Sequence, residues 1–391
     1  MTPEPPRYGH HDVAVLVPDA VAALTGGAPR ALPLPEGPAG IVILVVDGLG
    51  HHQLREHAEV APFLASHTGT TLDAPFPTTT TTSLTSIGTG RAPGEHGIVG
   101  FSVAVPGDDR PLVLLTWSWE RQDLDLDARQ EVVPEEFQPL PTAFDRAREA
   151  GVRPVTVLRP EFPSSGLTRA GLRGADVVEP VGLEATLAAA VEAAAAPGPT
   201  VVYAHHGDLD AIGHVVGPAT DRWCGELARI DAELARTTDQ LPRGVAVVVT
   251  ADHGMLPIPP EGWIELTEQP ALLDGVRVLT GDGRARQLHV RDGAGADVLA
   301  AWRESCGDLA HVVSREEAIG LGWFGPTVTD VVRPRIGDVV VSARAHGVAW
   351  VHRDADLFGG RLAGMHGALT PEECEVPALV LSRNDRTTEP P

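Results

Sequence analysis

The sequence predicts an α/β fold, with a mostly parallel central sheet, helices on both faces and a small α+β insertion. Three observations carry that expectation. The runs 41–46, 200–205 and 245–250 are continuously aliphatic rather than alternating, the pattern of strands buried on both faces. Helical stretches lie between them. Each of the three runs also ends directly in acidic or histidine residues.

In chain order, the Gly- and Pro-rich segment 26–40 is an irregular lead-in. The run 41–46 then forms a strand that stops at Asp47-Gly48. A helix over 142–150, ended by Gly151, precedes a strand at 154–158. The alanine-rich helix 183–196 precedes the strand 200–205, and a long polar helix at 219–240 precedes the strand 245–250. Strands alternating with helices build a parallel sheet. Beyond Met255 the elements shorten: strands at 287–290, 338–343 and 348–352, and a helix near 297–304. Residues 1–255 and 356–391 are therefore expected to form the core, with 256–355 as a cap subdomain. The polar tail 383–391 is expected to be disordered.

Composition narrows the function. At 391 residues the chain suits one large domain with an insertion, or two domains. No apolar run approaches the ~20 residues of a membrane span. Residues 1–7 lack the basic-then-apolar pattern of a signal peptide, so the expected compartment is the cytoplasm. Cys224, Cys306 and Cys374 are few, odd in number and far apart, as reduced thiols are. A net charge of −23 would repel nucleic acid polymers and anionic membranes but tolerates bound cations. Every basic residue is arginine, which a GC-rich coding bias explains.

Four short motifs carry candidate metal ligands. In Asp252-His253-Gly254-Met255, neighbours that would face opposite sides of a strand can serve one site only in the turn beyond it. Asp210 and His214, four apart and followed by Gly217-Pro218, can converge on one cation. His366 stands between Met365 and Gly367, and Asp47 is an acid at the end of a buried strand, where it needs a partner or a metal. His205, His206 and Asp208 rank below these as supporting residues. Taken singly, each motif also has a plainer reading as a cap or a surface residue. After Phe76-Pro77 the threonine run 78–82 opens a helix whose free N–H groups favour an anion. A threonine there beside a divalent cation can act as a nucleophile.

Together with Thr89-Gly90 and Pro93-Gly94-Glu95-His96-Gly97-Ile98, these motifs resemble the alkaline phosphatase superfamily, and within it the nucleotide pyrophosphatase/phosphodiesterase branch. The resemblance runs through residues 41–255 and again around His366. It implies that Asp210, His214 and His366 hold one metal, and that Asp47, Asp252 and His253 hold the other. It also implies Thr80 as the nucleophile, by its spacing from Thr89, with Thr79 as the fallback. Two divalent ions about 4 Å apart are then expected, zinc by ligand type, with manganese or iron as alternatives.

The chain departs from the branch at Ser83, where an asparagine is usual, so Ser83 is the expected substrate-binding residue. No arginine stands beside Thr80 to clamp a dianion, and Arg91 is expected to face solvent. The implied activity is hydrolysis of a small phosphate ester or nucleotide by a phosphodiesterase or nucleotide pyrophosphatase, through a phospho-threonine. The alternatives are a phosphomonoesterase or phosphonate hydrolase using the same metals, or a non-catalytic metal-stabilised binding protein. Phe101, Trp117, Trp119, Trp263, Trp323 and Phe324 are candidates for an apolar leaving-group pocket.

Overall fold

A computed structural model of the chain describes residues 3–67, 69–119, 127–353 and 361–383, so the tail 384–391, expected to be disordered, lies outside the described residues. The central sheet has seven strands. In spatial order they are Thr70–Asp73, Glu375–Ser382, Val245–Thr250, Gly40–Val46, Thr200–His206, Arg153–Val157 and Asp176–Val178. The last five run parallel to one another, and Glu375–Ser382 is antiparallel to both of its neighbours. The three central strands are buried along their whole length, as their unbroken aliphatic runs require.

Helices cover both faces. Leu16–Leu24 packs on the two most central strands with Ala143–Glu149 beside it. Leu183–Ala194 packs on the same two strands with Asp221–Asp239 beside it. The sequence-expected helix 219–240 is Asp221–Asp239, and a separate helix, Asp208–Val216, precedes it. Gly217, at a positive φ, ends that first helix and lets the chain turn into the second.

A second layer stands apart from this sheet. Strands Val276–Gly281, Ala285–Val290, Val339–Ala343 and Ala310–Ser314 form an antiparallel sheet, with helix Gly295–Cys306 packed on it. It is joined to the segment after His96 by a shared core in which Val99, Trp117, Trp119, Trp323, Phe324 and Val340 are buried together. Hydrogen bonds reinforce the junction: Gln287 Nε2 donates to Val99 O at 2.6 Å, and Ser102 Oγ to Gly281 O at 3.0 Å. The expected pocket aromatics are therefore core residues. Trp117, Trp119, Trp323 and Phe324 fill this cluster, and Trp263 is buried against Met365 in a smaller one. Phe101 alone stays partly exposed. Among the described residues no helix is long and apolar enough to cross a membrane.

Close packing at the foot of the central strand yields a stability prediction. A Cβ on Gly40 would lie 2.0 Å from the backbone oxygen of Ala194, at the end of the covering helix. Gly40→Ala should lower unfolding free energy by about 1–3 kcal/mol. Urea denaturation should show this as a lower midpoint with an unchanged slope.

Candidate active site

The three central strands deliver the chemistry at their carboxyl ends, the edge where open parallel sheets bind ligands. Asp47 follows Gly40–Val46, and Asp252-His253 follow Val245–Thr250. Asp210 and His214 lie one helical turn apart on Asp208–Val216, which begins just past the third strand. The chain can turn at Gly48 because that residue has a φ of 75° and no side chain. A Cβ there would meet Asp210 at 3.1 Å. His366 comes from elsewhere in the sequence. Strand Gly364–Met365 pairs antiparallel with Leu256–Pro257, which brings His366 beside the Asp252-His253 turn.

Three carboxylates therefore meet in a buried place, and each keeps an oxygen without a hydrogen-bond partner: Asp47 Oδ1, Asp210 Oδ1 and Asp252 Oδ2. Of their other oxygens, those of Asp47 and Asp252 are hydrogen-bonded. Asp47 Oδ2 lies 3.1 Å from His205 Nε2, Asp252 Oδ1 accepts from the amides of Gly48 and His253, and Asp210 Oδ2 lies 3.4 Å from His214 Nε2. Burial, then the charges of Asp252 and Asp210, push the Asp47 carboxyl well above the usual range. Burial likewise raises Asp210, against the pull of His214 and His253. Anions crowded in this way call for cations.

The imidazoles answer that need. Nδ1 of His214 lies 2.7 Å from Gly364 O, Nδ1 of His366 2.7 Å from Thr78 O, and Nδ1 of His253 3.0 Å from Gly254 O. A carbonyl only accepts, so each Nδ1 carries a hydrogen, and in the neutral ring Nε2 presents a lone pair. Burial, with His253 and His214 nearby, holds the His366 pKa well below its ordinary value and keeps the ring neutral.

Two ligand groups result. Asp47, Asp252 and His253 form one, with His253 Nε2 3.5 Å from Asp47 Oδ1 and 3.4 Å from Asp252 Oδ2. In the other, Asp210 and His366 are 3.9 Å apart, and His214 Nε2 lies 3.2 Å from His366 Nε2. His253 stacks on His366 with ring centroids 3.5 Å apart, so it reaches this group as well. The orphaned oxygens and aligned lone pairs fit two divalent cations bound through oxygen and nitrogen.

Thr80 is the first residue of helix Thr80–Thr89, and Thr79 is its N-cap. Thr79 and residues 81–89 are buried; Thr80 is not. Its hydroxyl lies 3.2 Å from His253 Nε2, whereas the Thr79 hydroxyl is 3.0 Å from that of Thr81 and 3.2 Å from that of Thr82. No side chain caps this helix, so its first N–H groups are left for a ligand. Ser83 differs from expectation. Fully buried, it donates its one hydroxyl hydrogen to Asp252 O at 2.7 Å, so it braces the Asp252 turn and has none left for a phosphoryl oxygen. Arg91 is half exposed and pairs with Glu95, as expected of a surface residue.

His205, which burial brings down to about 4, steadies Asp47 as a neutral donor. His206, Asp208 and Glu226 could also surround an ion, but Glu226 is already bonded to His206 at 2.8 Å and to Arg229. Against the opposing effect of burial, those bonds bring the Glu226 carboxyl down to about 2. Asp208 pairs with Arg159 at 3.1 Å. Sequence reasoning missed Thr78, which holds His366 from inside the threonine run. It also missed Glu373, whose spacing from Thr370 reads as an ordinary helix cap.

The sequence model described as type I phosphodiesterase / nucleotide pyrophosphatase matches residues 41–369. No curated protein matches the chain. Among solved structures, murine ectonucleotide pyrophosphatase/phosphodiesterase 5 superposes with a TM-score of 0.64 at 18% identity, covering 87% of each chain. The same murine protein, as an inactive threonine-to-alanine variant in complex with AMP, aligns at 17% identity and a TM-score of 0.64, covering 88% of each chain. Phosphonoacetate hydrolase from Sinorhizobium meliloti 1021, in complex with phosphonoformate, gives 0.64 at 20% identity, covering 90% of this chain and 92% of that one.

The crowded carboxylates predict an unusual stability profile. Because the folded-state pKa of Asp47 is raised, the metal-free folded chain keeps a proton that the unfolded chain has released. Its stability should fall as pH rises from the ordinary carboxylate range towards that raised value. In chelator at neutral pH, Asp47→Asn should therefore melt at or above the wild-type temperature. The difference should vanish below about pH 4, and the variant should lose the stabilisation that added divalent ions give the wild type.

Proposed function

From the premise that the chain belongs to the type I phosphodiesterase / nucleotide pyrophosphatase family, we propose that it hydrolyses small phosphodiesters or nucleotide pyrophosphates at a two-metal site, with Thr80 as nucleophile. Membership makes it a phosphoric ester hydrolase. The finer reading is carried by one observation: the Thr80 hydroxyl is 3.2 Å from His253 Nε2, beside the orphaned oxygens of Asp47 and Asp252.

Asp210, His214 and His366 would hold one ion, and Asp47, Asp252 and His253 the other, with zinc suited to the donor set and manganese or iron also compatible. When bound, the ions supply Lewis-acid stabilisation of the charge on the phosphoryl oxygens. The chain's own residues do the rest. Thr80 Oγ1, its proton released to solvent, attacks phosphorus in line with the leaving oxygen. The new O–P bond forms a phospho-threonine ester as the bond to the leaving oxygen breaks, and the alcohol or nucleotide departs with a proton taken from solvent. Water then attacks the same phosphorus, which releases the phosphate product and restores the Thr80 hydroxyl. The uncapped amides at the start of Thr80–Thr89 hydrogen-bond a non-bridging oxygen, the task expected of Ser83. Residues 256–355 act as a cap over this edge, and the protein works in the cytoplasm.

The fold shared with phosphonoacetate hydrolase favours a second reading, cleavage of a phosphonate by the same residues. The assay compares bis-p-nitrophenyl phosphate, a nucleoside p-nitrophenyl phosphate, p-nitrophenyl phosphate and phosphonoacetate, with and without chelator. The diesters should be hydrolysed fastest and only with metal present. Faster turnover of the monoester or the phosphonate would overturn the diesterase reading, and no turnover with any metal would favour a binding protein. Thr80→Ala should cut turnover by about three orders of magnitude or more while leaving metal content unchanged. Full activity in that variant would move the nucleophile elsewhere.

A further inference from the structure

A second buried charge cluster lies just behind the site. Arg284, in the turn between strands Val276–Gly281 and Ala285–Val290, and Glu373, on helix Pro371–Cys374, both have fully buried side chains. They form a two-pronged pair, Nε to Oε1 and Nη2 to Oε2, each at 2.7 Å. The third guanidinium nitrogen, Nη1, donates to Val348 O at 2.7 Å and Ala345 O at 3.2 Å, which keeps Arg284 within the inserted layer.

Glu373 reaches the other way. Its Oε1 accepts from Ala368 N at 3.0 Å and its Oε2 from the Thr370 hydroxyl at 2.7 Å, so the carboxylate organises the loop that follows His366. Its backbone oxygen accepts from Gly254 N at 2.9 Å, next to His253. The same loop is tied to the nucleophile turn, since Thr78 Oγ1 donates to Ala368 O at 3.0 Å and Thr78 O receives His366 Nδ1. The hairpin around Arg284 also presses on Gly367, where a Cβ would meet Asp282 Oδ1 at 2.8 Å.

We propose that the Arg284–Glu373 pair is a positioning device that locks the inserted sheet onto the His366 loop and so sets the cation affinity of the Asp210, His214 and His366 group. The proposal rests on the two-metal reading above. A buried ion pair is a weak source of stability compared with apolar packing of the same volume. This one, however, holds the backbone two residues after a ligand, at Ala368 N, and ties it to the inserted layer at Val348 O. Groups that hold ligands from behind typically change metal affinity about 10–100-fold when altered.

The test titrates chelator-stripped protein with Zn2+ against a chromophoric chelator and records melting temperatures alongside. It uses the full chain, Arg284→Lys, Glu373→Gln and the paired Arg284→Met/Glu373→Leu, which leaves no lone buried charge. Wild type should take up two ions. Each variant should keep one step at wild-type affinity and weaken the other by about tenfold or more. In a His366→Ala background, Arg284→Lys should change neither remaining step, because the ligand it positions is gone. The proposal is overturned if folded variants bind both ions like wild type, weaken both steps equally, or respond to Arg284→Lys without His366. A wild-type chain that binds fewer than two ions would overturn the metal reading and this proposal together, and would be seen before any variant is compared.

Discussion

Three carboxylates that cannot all be charged without help are the constraint on which the rest of the site depends. Asp47, Asp210 and Asp252 come from the ends of three adjacent central strands or the helix that follows, and each keeps one buried oxygen unbonded. An isolated buried acid would shed its charge, and a group of them would push the strand ends apart. The fold tolerates the cluster by anchoring the other oxygens of Asp47 and Asp252. His205 holds Asp47, and backbone amides hold Asp252. What remains is a set of unbonded oxygens aimed inward, the candidate seat for cations.

The histidines show the same economy. Each of the three hands its Nδ1 hydrogen to a backbone carbonyl, so one bond fixes the ring's orientation and the tautomer of its neutral form. Thr78, just before the N-cap Thr79, holds His366 through its carbonyl, and Ser83 braces Asp252 from the helix that follows. One short segment therefore supports both ligand groups while presenting Thr80 to them. The inserted sheet is fastened to this arrangement through Arg284 and Glu373 rather than standing off it.

Much of this was legible in the sequence. Continuous aliphatic runs ending in acids mark both the central strands and the edge that carries the site, because burial on both faces and a sharp polar stop are local properties. The spacing of Asp210 and His214 encodes a shared helical face. What local pattern could not show was direction. Ser83 sits one turn from Thr80, yet its hydroxyl turns to Asp252 O. Four of the aromatic residues that suggested a pocket, Trp117, Trp119, Trp323 and Phe324, are instead buried in one cluster, where Phe324 meets Phe76 from far away in the chain. Arg284 and Glu373 are 89 residues apart, and nothing near either predicts the other. The helix Asp208–Val216 was only half legible: Asp210 and His214, four apart beside Gly213 and Gly217, suit a loop as well as a helical turn, and the structure shows the turn, closed at Gly217.

The central claim, that the acid cluster is a two-cation seat, is tested most directly by anomalous diffraction from crystals grown with Zn2+ or Mn2+. Two peaks are expected, one bonded to Asp210, His214 and His366 and one to Asp47, Asp252 and His253. A single peak, or ions bound instead at His206 and Glu226, would contradict the account.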